Sequence, residues 1–191
     1  MDAEALRRAR LNAGRSLYDL ASVSGIAASN ISAIEHGRRL PTIGTVDLIA
    51  SAMGVEFVPV SLHGRATVAR ASAEIIMQEE SAPAVAYRTF LQIADDLAAV
   101  NAFQRVLLAA EEPLRTRSRW DDAVAGLVEW RLGQVDAPLP DWLARREAVD
   151  RGWWQPQRTE TPLALTADPD HVPEPLRRRR ILIEEEEFAS L

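Results

Sequence analysis

Cysteine is absent from all 191 residues, which removes disulfides and thiolate-bound metals and is compatible with a reducing compartment. Lysine is absent too, and every positive charge is an arginine; this reflects nucleotide usage rather than chemistry and supports no functional inference. No apolar run approaches the ~20 residues a membrane span requires, and the N-terminus lacks the basic-then-apolar pattern of a signal peptide. A cytoplasmic protein with no membrane role is expected. The three histidines, His36, His63 and His171, lie far apart in sequence, so no metal site and no cofactor are expected.

Acid exceeds base, with a net charge of -6, but unevenly. Residues 1–63 hold six acidic groups and six arginines, and the excess acid belongs to the remainder. Phosphate binding depends on where arginines cluster rather than on the total, so a nucleic-acid role stays open for the N-terminal part. The length fits two small domains, and prolines crowd the last third. The expected fold class is mainly α. Its parts are a helix-turn-helix domain over 1–63, a helical domain over 64–154, and an extended proline-rich segment with a docking tail over 155–191.

Within 1–63 the punctuation is regular. Leu6, Ala9 and Ala13 have helical spacing before Gly14. Ser16, with Asp19 three residues on, predicts a capped second helix with Leu17, Leu20 and Ala21 inward. Gly25 breaks that run, and a third helix over 27–36 turns Ile31 and Ile34 inward and stops at Gly37. Thr42 caps a fourth helix with Val46, Ile49 and Ala50 inside, ending at Gly54. Val55 to Val60 is β-branched and aromatic, and with Pro59 it predicts a short edge strand or an extended linker. Two short helices joined by a tight glycine turn can place the second in a major groove.

Leu17–Ile26, Ser29–Gly37, Pro41-Thr42 and Met53–Val55, in that order and spacing, resemble the Cro/C1-type (Xre) helix-turn-helix family over residues 4–61. The resemblance implies that Ala28, Ser29, Asn30, Ser32 and Ala33 face base edges. Ala28 stands where the family often has glutamine and offers only a methyl group, which thins direct readout and leaves more to water and DNA shape. The family pattern also pairs Arg10 with Glu35 as a structural ion pair. Arg10, Arg38, Arg39 and Thr42 are the candidates for phosphate contact.

Beyond residue 64, apolar periodicity predicts helices over 65–80 and from Pro83 to about Glu112. Ser118 with Asp121 should box a further helix to Gly133, and Asp141 should cap a short one through Asp150. The paired carboxylates Asp95-Asp96, Glu111-Glu112 and Asp121-Asp122 are adjacent, so on a helix they point about 100 degrees apart and make poor acid–base dyads. No phosphate-gripping glycine loop or nucleophile elbow is present, and no enzymatic activity is expected. Five tryptophans fall within 35 residues; Trp153-Trp154, beside Gly152 and Pro156, reads as an anchor pair.

The chain ends with Arg177–Arg180, Ile181-Leu182-Ile183, Glu184-Glu185-Glu186-Glu187 and Phe188 to Leu191, whose apolar members predict a docking segment rather than pure disorder. This end loosely resembles that of antitoxin-type regulators with an Xre-type N-terminus. The resemblance implies a repressor of its own operon that binds double-stranded DNA as a homodimer and neutralises a cognate toxin through Trp153, Trp154 and the tail. An ordinary repressor whose second domain dimerises or senses a small ligand is the alternative.

Overall fold

The structure is a computed structural model in which residues 3–56, 60–147, 152–156 and 167–189 are described. The chain divides into two compact units, residues 1–60 and 61–191, and is mainly helical, with no strand among the described residues. The tail expected as a separate segment belongs, where described, to the second unit. Phe57, Val58 and Pro59 of the expected edge strand lie outside the described residues.

The first unit consists of α1 (Ala3–Asn12), α2 (Leu17–Ser24), α3 (Ala28–Glu35) and α4 (Ile43–Ala52). Its core is Leu6, Leu20, Ile31, Ile34, Val46, Ile49, Ala52 and Met53, one or two apolar positions per helical turn from each helix. Ser16 and Asp19 exchange hydrogen bonds as a capping box at 3.1 and 2.9 Å, which keeps the Asp19 carboxyl below its usual range. Thr42 caps α4 by accepting the Thr45 amide at 3.3 Å.

The second unit begins with α5 (Val68–Gln78) and α6 (Pro83–Ala98), whose inner faces include Val68, Ala71, Ile75, Phe90, Ile93 and Leu97. The expected helical region to Glu112 is interrupted. Asn101 accepts the Gln104 amide at 3.0 Å and starts a separate helix, α7 (Ala102–Ala109). The Arg105 guanidinium holds the break from inside: it donates to the carbonyls of Ala98 at 3.1 Å, Val100 at 3.2 Å and Arg131 at 2.6 Å. It thereby places a cation at the C-terminal ends of α6 and of α8 (Arg119–Gly133). Burial lowers the pKa of this guanidinium.

Helix α8 is the centre of the unit, with Trp120, Ala123, Val124, Ala125, Leu127, Val128 and Leu132 all buried. Residues 122–128 are buried in an unbroken run, so this stretch is covered on every side, and α5, α6, α7 and α10 (Glu174–Arg178) pack around it. The expected Ser118–Asp121 box does not form. The Ser118 hydroxyl accepts from Trp120 N, while Asp121 accepts from the Thr116 amide and hydroxyl and from the Arg117 amide at 2.9–3.0 Å. Asp121 thus fixes the preceding loop instead of closing the helix. Helix α9 is only Asp141–Ala144, residues 145–147 are not helical, and Trp142 donates its indole N–H to Ala109 O at 2.8 Å.

The C-terminal residues complete this core. Trp154 and Ile181 form an isolated parallel bridge, with Trp154 N donating to Arg180 O at 2.9 Å and Leu182 N to Trp154 O at 2.8 Å. Leu176, Ile181 and Ile183 are wholly buried, and the Phe188 ring lies 4.9 Å from that of Trp130 and 6.1 Å from that of Phe90. Each such side chain contributes roughly 1.5–3 kcal/mol of burial free energy, so together they rival the roughly 5–15 kcal/mol that holds a whole domain folded.

The approach of α10 to α8 depends on Gly126. A Cβ there would stand 2.9 Å from Leu176 Cδ2 and 3.0 Å from the Pro175 carbonyl oxygen. In an open helix Gly→Ala gains up to about 1 kcal/mol; here overpacking of about 1–3 kcal/mol opposes it. Gly126→Ala is expected to lower the melting midpoint of the second unit. An unchanged or raised midpoint in a calorimetric scan would show that α10 is not closely seated.

Candidate nucleic-acid interface

The turn between α2 and α3 is built by Ser24, Gly25 and Ile26. Gly25 adopts φ +72° and returns its N–H to Ala21 O at 3.1 Å, while the Ser24 hydroxyl donates to Leu20 O and accepts from Ile26 N. Ile26 packs against the core and sets where α3 begins. Ala27, the N-cap of α3, makes no side-chain hydrogen bond, so no side chain competes with an anion for the first-turn amides.

Helix α3 buries Ile31, Ile34 and Glu35 and turns Ala28, Ser29, Ser32 and Ala33 to the opposite side, with Ser29 exposed and the other three half-buried. These four fall at positions i, i+1, i+4 and i+5 and form one continuous surface. Gly37, at φ +68°, ends the helix by letting the Arg38 and Arg39 amides fold back to Ala33 O at 2.8 and 3.2 Å. Both arginines are exposed beside the outward surface of α3. Arg39 Nη1 donates to Asn30 Oδ1 at 2.8 Å, so Asn30 positions Arg39 and retains only its amide N–H groups for a base edge.

Arg10 meets Glu35 in a bidentate pair, Nε to Oε1 at 2.7 Å and Nη2 to Oε2 at 2.8 Å, and its Nη1 donates to Arg15 O at 3.0 Å. The hydrogen bonds that Arg10 donates to Glu35 are the main influence raising the Arg10 pKa. Arg10 is 8 % exposed with all three nitrogens engaged, so its expected phosphate contact is corrected: it belongs to the framework, and of the three candidate arginines Arg38 and Arg39 are the exposed ones. Thr42 and Thr45 share a hydroxyl–hydroxyl hydrogen bond at 2.9 Å. Both line a cleft of about 480 Å³ with Asn30 and Arg39. Thr45 was not among the sequence candidates, although its i, i+3 spacing from Thr42 was readable. His36 was also missed; its Nδ1 lies 2.7 Å from Ser32 O at the end of α3.

The expected partner-binding residues lie elsewhere, in the second unit. Ile181, Leu182, Ile183 and Phe188 are core side chains there, and Trp154 stacks edge-on against Trp120 at 5.1 Å. The expected docking of Ile181, Leu182, Ile183 and Phe188 on a partner is therefore corrected to packing within the unit, because buried side chains have no surface to offer; Trp154 is half-buried against the same core. Glu184 accepts the Asp168 amide at 2.7 Å, and Glu187 accepts the Tyr87 hydroxyl. Trp153, Glu185 and Glu186 remain exposed; Leu191 lies outside the described residues. Among the described residues no group of three or more acidic or histidine side chains is placed to hold a metal, and no helix is long and apolar enough to cross a membrane.

Removing one member of the Arg10–Glu35 pair strands a buried charge, at a cost of roughly 3–5 kcal/mol. Arg10→Met and Glu35→Leu are each expected to destabilise the first unit by that order, and the double variant to recover most of the loss. Denaturant titrations of the four proteins measure the coupling; losses that simply add would show that the pair does not hold α1 to α3.

The comparisons agree with this geometry. Residues 6–60 match the family model described as helix-turn-helix, while no curated protein and no solved structure matches the chain. The matched span contains all four helices of the first unit from Leu6 onward, the glycine turn and the outward surface of α3. Residues 6–60 are a helix-turn-helix domain of the Xre-like type, and the chain that carries them is a DNA-binding transcriptional regulator.

Proposed function

We propose that the protein is a repressor that acts by binding rather than by turnover, and that it grips a two-fold symmetric operator as a homodimer. The outward surface of α3, flanked by Arg38 and Arg39, carries this reading. One short helix buries too little surface for tight binding, whereas two copies fit half-sites about 34 Å apart. Arg38 and Arg39 meet phosphates. Ser29, Ser32 and the Asn30 amide read bases sparingly, and the Ala28 and Ala33 methyl groups suit thymine, so part of the specificity rests on DNA shape.

A toxin-neutralising role is a second reading, favoured by the exposed Trp153, Glu185 and Glu186 on the second unit. In that case the neutralising surface is already folded, since the apolar residues of the tail serve its own core. Deleting residues 176–191 would then unfold the unit rather than remove one contact. Glu185→Gln with Glu186→Gln is the informative change, expected to slow association with a basic partner encoded beside this chain.

For DNA binding, the expected slope of log K against log salt is about -0.9 per phosphate contacted, with Arg38 and Arg39 of each protomer assigned to phosphate. Arg38→Glu with Arg39→Glu should weaken binding to all duplexes alike and flatten that slope. Ser29→Ala with Ser32→Ala should instead reduce preference among operators. Fluorescence anisotropy on an operator and a scrambled duplex separates the two. If the arginine change shifts sequence preference and the serine change does nothing, the roles are reversed.

A further inference from the structure

Helix α7 carries an apolar face that its own unit leaves largely uncovered and that the DNA-binding reading does not use. Its packed side is Arg105, Leu108 and Ala109, all buried, and opposite to it lie Phe103, Val106, Leu107 and Ala110. Their i, i+3, i+4, i+7 spacing sets these four on one face. Phe103 is 66 % exposed, Ala110 is exposed, and Val106 and Leu107 are half-buried. A surface helix ordinarily turns a polar side to water, whereas α7 is apolar on both.

Charge is missing from the same face. Residues 61–191 hold 16 arginines against 22 acidic groups, so two copies of this unit carry the same net sign and repel. Among the described helices of the unit, α7 is the one whose only charged residue is buried, and Arg105 engages its guanidinium with the carbonyls of Ala98, Val100 and Arg131. The face has no charge to attract a strongly basic or acidic partner. It is a place where a second copy can approach without meeting its own sign.

The order of side-chain sizes along the face is self-complementary in one direction. A two-fold axis crossing two antiparallel copies of α7 between positions 106 and 107 sets Phe103 of one against Ala110 of the other, and Val106 against Leu107. The bulkiest side chain of the face meets the smallest, and a two-fold contact repeats the fit. Parallel copies would set Phe103 against Phe103 and Ala110 against Ala110, leaving a gap at one end. A stable dimer covers roughly 800 Å² on each partner, and two turns of one helix, about 10 Å long, supply less. The contact is therefore weak in free solution and gains strength where a two-fold operator holds two copies at high effective concentration.

We infer that α7 is a self-association helix, whose outward face packs antiparallel against the same face of a second copy of this chain. Phe103 is its anchor, because an aromatic ring buries the largest apolar area of the face and such side chains concentrate binding energy. The assignment deepens the homodimer reading by giving it a contact in the second unit. It rests on that reading only for its role at an operator, since association is measured without DNA.

The test is sedimentation equilibrium of the full chain without DNA, and the expected result is a reversible dimer with Kd on the order of 10–100 μM. Phe103→Glu and Ala110→Arg, both at exposed positions, should each weaken dimerisation at least about tenfold. Their thermal midpoints, taken in dilute solution where the chain is monomeric, should match that of the unaltered protein. An equimolar mixture of the two variants should regain the dimer that neither forms alone, because the introduced carboxylate and guanidinium then face each other across the axis. Val85→Gln, a half-exposed apolar position near the start of α6, should leave association unchanged. A dimer that survives Phe103→Glu, or that Val85→Gln weakens equally, overturns the inference and leaves the homodimer reading to another surface. A mixture that associates no better than its components also overturns it. A chain that stays monomeric at about 1 mM overturns it too, and protection of a single half-site would then remove the homodimer reading as well.

Discussion

The DNA-binding surface depends on what happens to one carboxylate. Glu35 sits in the helix that must approach a polyanion, where an uncompensated negative charge would repel phosphate and where burial would penalise it. Arg10 answers both problems with two short hydrogen bonds, and in doing so ties α1 to the end of α3. With the charge neutralised on the inside, the outer side of α3 carries only small residues, Ala28, Ser29, Ser32 and Ala33, and Arg38 and Arg39 lie exposed just beyond its end. In the proposed reading Arg10 belongs to the framework, and Arg38 and Arg39 are the arginines that meet DNA.

The second unit solves a different problem, that of covering a helix buried around its middle on every side. Residues 122–128 of α8 are all buried, so the chain returns to it repeatedly, and the last return is made by Leu176, Ile181, Ile183 and Phe188. Gly126 permits the backbone of α10 to come against it. Two arginines with opposite relations to their surroundings bracket the unit. Arg105 satisfies two helix-end carbonyls and that of Val100 in the link between α6 and α7, whereas Arg146 is left with two nitrogens unanswered.

Local chemistry was legible in the residues themselves, whereas the long-range pair of Arg10 with Glu35 was legible only through the family resemblance. The Ser16–Asp19 box and the stops at Gly25 and Gly37 announce themselves within three or four residues, since each is a contract between near neighbours. The break at Asn101 was hidden because apolar spacing runs on through Val100, Phe103 and Val106, so that period alone cannot distinguish one helix from two. Asp121 misled for the reverse reason: its spacing from Ser118 fits a box, but the Thr116 and Arg117 amides lie equally close in sequence and claim it. Arg10 carried two expected roles, and only geometry showed that one exhausts the side chain. A branched apolar run flanked by charge, as in the tail, does not say what covers it; here it is the chain's own Trp154 and α8.

The central claim is that this protein meets DNA through α3 and the turn that follows it. Amide hydrogen exchange across the full chain, with and without a duplex enriched from a random pool, tests it directly. The account predicts new protection from Ala27 to Ala33 and from Arg38 to Thr45, with little change in the core of the second unit. Protection confined to residues 61–191, or failure of any duplex to be enriched, would contradict it.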